Sequence, residues 1–171
     1  MVERKIWRRQ LYRRIKLLQI ALIVLVVILN TGCSKIENYE KLERDVSKFL
    51  NKIDLDLQEE KIESFKSSLD EKVRIKFITQ LENKKQIYTK NEFLNMIIGG
   101  WKITKPLFFK RDIIKIYKID EDKILVISKI IEKTKLLNGQ YLNTSTSEKL
   151  IIQINNSKYK IKKLEANTRV F

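Results

Sequence analysis

A chain with no histidine and one cysteine has a short menu of chemistry. Without an imidazole there is no histidine general base at neutral pH, no Ser-His-Asp or Cys-His nucleophile and no histidine-ligated zinc. Cys33, standing alone, excludes an intramolecular disulfide and a multi-cysteine metal site. The candidates are two carboxylates and the Cys33 thiol. Asp112 falls in a predicted strand and Asp45 on a predicted helix, and each reads as a solvated or salt-bridged carboxylate, because a general base must face a substrate pocket and nothing in the sequence turns either toward one. The expectation is a non-enzyme with no catalytic residue, no cofactor and no metal.

Cys33 has a more specific context. Residues 1–16 are basic, the run Leu17 to Leu29 reads LLQIALIVLVVIL with Gln19 as its one polar interruption, and Thr31-Gly32-Cys33 follows at once. A basic segment, an apolar segment and small residues before a cleavage point is the layout of a secretory signal. The apolar run is short for a hydrocarbon layer about 30 Å thick, which takes roughly 20 helical residues to cross. With the cysteine placed directly after it, the segment resembles a bacterial lipoprotein signal peptide, whose peptidase cuts before a cysteine that is then diacylated with palmitate-type chains. Asn30 departs from that pattern, since an aliphatic residue is usual three before the cysteine and the nearest here is Leu29. The resemblance implies residues 1–32 as signal peptide or membrane anchor, Cys33 as the lipidation site, residues 33–40 as a tether, and a domain on the extracytoplasmic side of the cell membrane. Two acyl chains anchor stably where one is marginal.

The formal charge of +15 divides unevenly. Residues 1–32 hold seven Lys or Arg against Glu3, so the remainder keeps +9, and there only Arg44, Arg74, Arg111 and Arg169 are arginine. Nucleic-acid readers lean on arginine forks, and Lys110-Arg111 beside Phe108-Phe109 is the one place with a basic-aromatic look. Nucleic acid is therefore not the expected partner; the lysines read as a solvated surface. Tyr88, Phe93, Trp101, Phe108, Phe109 and Tyr117 concentrate aromatic mass in one stretch. They read either as ordinary core or as the lining of an apolar pocket.

The elements that must position these side chains are legible from periodicity. Ile36, Tyr39, Leu42, Val46, Phe49, Leu50 and Ile53 fall at helical spacing, and Ile62, Phe65, Leu69 and Val73 predict a second helix. Val73, Ile75 and Phe77 alternate as a short strand. Thr89 and Glu92 have the spacing of a capping box that starts a third helix, with Gly99-Gly100 as its expected left-handed stop. Strands are predicted near 107–119, 123–135, 140–154 and 158–165, with a type I′ turn at Asn138-Gly139 and bulges or doubly covered strands at Ile113-Ile114 and Ile130-Ile131.

Two helices, a short strand, a helix and four consecutive antiparallel strands make an α+β domain over residues 41–167, with N-terminal helices packed on a curved, mainly antiparallel sheet of about four to five strands and a hydrophobic signal or anchor helix before it. This order resembles the nuclear transport factor 2-like superfamily, and the segment LIIQINNSKYKIKKLEAN, with Tyr159 just after its turn, looks like the closing hairpin of such domains. The resemblance implies a curved sheet wrapped around a long helix as a cone, and it is nearly silent on function because the fold hosts enzymes, binding modules and scaffolds. The expected role is a membrane-anchored module that binds an envelope protein or a small apolar ligand. An alternative is a structural subunit of a secretion or conjugation complex with an uncleaved N-terminal segment, and a third is an enzyme or carrier for a small apolar molecule in the cone.

Overall fold

The computed structural model describes residues 39–79 and 84–171. The signal segment 1–32, Cys33 and most of the 33–40 tether lie outside these residues. Among the described residues no helix is long and apolar enough to cross a membrane. Helix α1 covers residues 39–58, α2 is Ile62–Ser68 and α3 is Lys90–Ile103. The strands are β1 (Leu69–Thr79), β2 (Lys84–Tyr88), β3 (Thr104–Lys118), β4 (Lys123–Leu136), β5 (Tyr141–Asn155) and β6 (Lys158–Val170). They form one curved six-stranded sheet in the order β2-β1-β6-β5-β4-β3, antiparallel throughout except for the parallel pair β1 and β6. Residues 46–171 form one compact unit.

Within that unit α1 buries Val46, Leu50 and Ile53, a stripe at spacings of four and three. The inward positions of the sheet meet it with Ile75, Val126, Leu150, Ile152 and Leu164. Each such side chain contributes about 1.5–3 kcal/mol when fully removed from water.

Several elements differ from the sequence reading, each for a local reason. Helix α2 stops at Ser68 and does not run on to Val73. Ser67 Oγ donates to the Ser64 carbonyl and Ser68 Oγ to the Phe65 carbonyl, both at 2.6 Å, a local bonding pattern that competes with helix continuation. Leu69 and Val73 are buried as strand residues instead, so β1 is longer than the expected short strand. It also gains β2 as a partner, which makes the sheet six strands and not four or five.

The capping box of α3 is present, with Glu92 N–H on the Thr89 side chain and Thr89 N–H donating to Glu92 Oε2 at 2.8 Å. Gly99-Gly100 does not end this helix. Neither glycine has a positive φ, and the helix continues to Ile103, where Thr104 Oγ1 donates to the Gly100 carbonyl at 2.9 Å.

The turn types are also exchanged. At Asn138-Gly139 only Gly139 has a positive φ, 85°. Gly139 N–H donates to the Leu136 carbonyl and Leu136 N–H to the Gln140 carbonyl, a three-residue loop with glycine in the left-handed position. The two-residue turn with both φ positive is at Asn156 and Ser157, 48° and 62°.

Candidate functional site

The inner face of the sheet and the helices line a cavity of about 430 Å³ that is partly open to solvent. Leu50 and Ile53 of α1, Phe93 and Trp101 of α3, and Phe109 and Ile130 of the sheet give it mainly apolar walls. Its polar lining comes chiefly from Arg111, Glu132, Thr146 and Glu148.

Two bulges decide which side chains of β3 reach it. Pro106 pairs with Thr134 and Phe108 with Lys133, so Leu107 is an extra residue; Ile114 is extra in the same way between Ile113 and Lys115. Each insertion shifts the inward set by one position, because strand side chains alternate with period two. The first shift turns Phe109 and Arg111 inward and Phe108 and Lys110 outward. The second brings Ile116 into the core and leaves Tyr117 out.

Arg111 sits at the centre of a buried ionic cluster. Its Nε and Nη2 both donate to the Asp54 carboxylate of α1, at 2.9–3.1 Å, in a fork geometry. Nη1 donates to Ser128 Oγ at 3.1 Å and to Glu148 Oε2. Ser128 and Glu148 are directly opposite on β4 and β5, and Ser128 Oγ donates to the same Glu148 oxygen at 2.8 Å. The side chains of Arg111, Asp54 and Glu148 are 5%, 10% and 6% exposed.

One guanidinium therefore serves two carboxylates away from water. Burial pushes Asp54 above its ordinary value and outweighs the Arg111 bonds that pull it down, with Glu148 adding repulsion. For Arg111 burial acts in the opposite direction, yet the two carboxylates hold its proton more firmly than usual.

Of the aromatics singled out in the sequence, Phe93 and Trp101 line the cavity. Tyr88 packs edge-on to Phe77 at 6.0 Å and donates to Gln86. Phe108 and Tyr117 are exposed on the far side of β3. Asp112 is an exposed partner of Lys110 at 2.9 Å, and Asp45 is a half-buried residue of α1. Lys110 and Arg111, adjacent in sequence, go to opposite faces. Asp54, Ser128, Glu132 and Glu148 were not singled out, although Asp54 interrupts the apolar stripe of α1 and Glu148 continues the inward alternation of Leu150 and Ile152. Among the described residues no group of three or more Asp, Glu, Cys or His side chains is placed to hold a metal ion.

A six-stranded curved sheet whose inner face and three helices line a cavity of this kind has close structural counterparts. A conserved protein from Planctomyces limnophilus superposes with a TM-score of 0.66 at 11% identity, covering 75% of this chain and 97% of that one. A nuclear transport factor 2-like protein from Cytophaga hutchinsonii gives 0.57 at 15% identity, over 71% and 93%. The fold is nuclear transport factor 2-like. A putative scytalone dehydratase from Novosphingobium aromaticivorans also matches, with a TM-score of 0.62 at 12% identity over 73% and 82%, so the nuclear transport factor 2-like fold shared here is one that enzymes use as well. No family model matches the sequence, and no curated protein matches it.

Proposed function

We propose that this chain is a non-catalytic module of the cell envelope that holds a small, mainly apolar molecule inside its α+β domain, tethered to the membrane through its N-terminal segment and acylated Cys33. The observation that carries the ligand-holding part is the cavity of about 430 Å³, within the size range of small-molecule sites, with apolar walls and a few convergent polar groups. A binding role is favoured over proton-transfer chemistry because the two buried carboxylates, Asp54 and Glu148, are both engaged by Arg111, which leaves Glu132 as a lone charged group of a mainly apolar lining. The tether rests on the charge and apolar pattern of residues 1–33.

Gly100 provides the test. It lines the cavity, and a Cβ added there meets no atom within 4 Å, so Gly100→Leu places bulk at the lining from an unobstructed first carbon. Native mass spectrometry of the full chain extracted from membranes is expected to show a bound small molecule that Gly100→Leu loses, together with a polypeptide mass beginning at Cys33 plus its acyl chains. A ligand-free wild type indistinguishable from Gly100→Leu would overturn the binding role, and an uncleaved, unacylated chain would overturn the lipid tether.

A further inference from the structure

The sign of the charge inside the cavity narrows the ligand. The polypeptide as a whole is strongly basic, at +15, yet the ionisable groups in and behind the cavity wall are Glu132, Glu148 and Asp54 against Arg111 alone. Arg111 is already neutralised by the two carboxylates it bridges, so it offers an incoming anion little net attraction. Glu132 is different. It lines the cavity, it accepts a hydrogen bond from Thr134 Oγ1 at 2.8 Å, and among the described residues no lysine or arginine lies within ion-pair distance of it. The second oxygen of Glu148, Oε1, accepts no hydrogen bond among the described residues, whereas Oε2 takes two.

A ligand seated against Glu132 displaces water from its carboxylate. A carboxylate stripped of water and given no cation is costly, whereas one given a cation is compensated. An all-apolar or anionic occupant therefore incurs that cost in full. Aromatic residues share that lining: Phe109 is directly opposite Glu132 across β3 and β4, and Trp101 lines the same cavity, and aromatic rings are favourable company for a cation. Surface lysines do not cancel the effect, since their field is screened over about 8–10 Å in physiological salt.

From this we infer that the cavity takes a cationic amphiphile, an apolar body carrying an ammonium-type head that sits against Glu132 with Phe109 and Trp101 beside it. The inference rests on the ligand-holding reading above and adds the charge of the ligand.

Tryptophan fluorescence separates the two. The chain contains two tryptophans, Trp7 and Trp101; Trp7 leaves with the segment before Cys33 on processing and Trp7→Phe removes it from any unprocessed chain, so Trp101 is the sole reporter in either form. In the full chain held in zwitterionic nanodiscs, three bromoalkyl probes of equal length, ending in trimethylammonium, hydroxyl or carboxylate, are titrated as quenchers. The ammonium probe is expected to quench Trp101 at about tenfold lower concentration than the other two, and Glu132→Gln is expected to erase that advantage, weakening the ammonium probe and tightening the hydroxyl probe, which no longer strips water from a carboxylate. Hydroxyl or carboxylate quenching as good as ammonium with Glu132 intact overturns the cationic preference and leaves the binding role standing. Failure of all three probes to quench Trp101 overturns both.

Discussion

Asp54 and Arg111, fifty-seven positions apart, lock α1 to β3 through three hydrogen bonds from one guanidinium to one carboxylate. Arg111 also reaches Ser128 and Glu148, so this one side chain ties the first helix to three strands. The cost of that arrangement is a surplus of one negative charge in a buried place.

Removing Arg111 should be the most damaging single change in the domain. Arg111→Met keeps much of the side-chain volume but leaves two buried carboxylates without a cation, and the loss is expected to be about 3–5 kcal/mol in urea unfolding followed by circular dichroism. The triple variant Arg111→Met, Asp54→Asn, Glu148→Gln should recover a large part of it, because the uncompensated charges leave together. A triple variant no more stable than the single one would show that the fork's geometry, and not its charge, holds α1.

Asp54 should also shape the dependence of stability on pH. Its native value is raised above the ordinary 3.8, so the folded chain binds this proton more tightly than the unfolded chain does. Its contribution is fully present below 3.8 and is lost as pH rises through the raised native value. Asp70 has the opposite sign, since hydrogen bonds from the Lys162 ammonium and the Lys72 N–H hold it below 3.8, and its contribution is present above 3.8 and lost on acidification. Asp54→Asn should therefore gain stability relative to wild type as pH rises through that window, and Asp70→Asn should gain relative to wild type as pH falls below 3.8. Melting curves across the acid range check both signs at once.

The Asn156-Ser157 turn offers a gain in stability. Ser157 has φ of 62°, a left-handed conformation that costs a residue with a Cβ about 1–2 kcal/mol and costs glycine little. Ser157→Gly is expected to raise stability by about 0.5–1 kcal/mol, less than the full relief because glycine is freer in the unfolded chain. The change is exposed at a turn, so thermal unfolding reads it without disturbance to the cavity.

How far the sequence foretold this molecule depends on where the alternation was interrupted. The class, the order of the main elements and the Thr89 cap follow from local spacing, and local spacing is what a sequence displays. Phe108 and Tyr117 stand with Phe93 and Trp101 as candidate pocket aromatics because all lie in one aromatic-rich stretch, a criterion that does not separate the two faces of a strand. The bulge at Leu107 exchanges Phe108 for Phe109, and the bulge at Ile114 does the same for Tyr117 and Ile116. The Arg111 cluster was hidden for another reason. Each of its members looks like an ordinary surface charge until the sheet register sets Glu148 opposite Ser128 and α1 brings Asp54 across. Strand β2 has few apolar residues and an exposed Ile87, so it carries no periodic signal and is defined by its pairing with β1.

The placement of β6 sets the order in which the domain can be completed. It lies between β1 and β5, so the segment nearest the C-terminal end is an interior plank of the sheet. Among the described residues β1 finds its one long partner there, pairing Ile75 with Leu164 and Phe77 with Ala166, across nearly ninety residues. A nascent or translocating chain can close the β3-β4-β5 meander early by local contacts, but β1 and β2 must wait with their inner edge unpaired until residues 158–170 arrive. A chain cut short before β6 would not be a slightly weaker version of this domain. Its sheet would be split into β2-β1 and β5-β4-β3, with Leu69, Ile75 and Leu150 losing their β6 neighbours and an unpaired strand edge on each part.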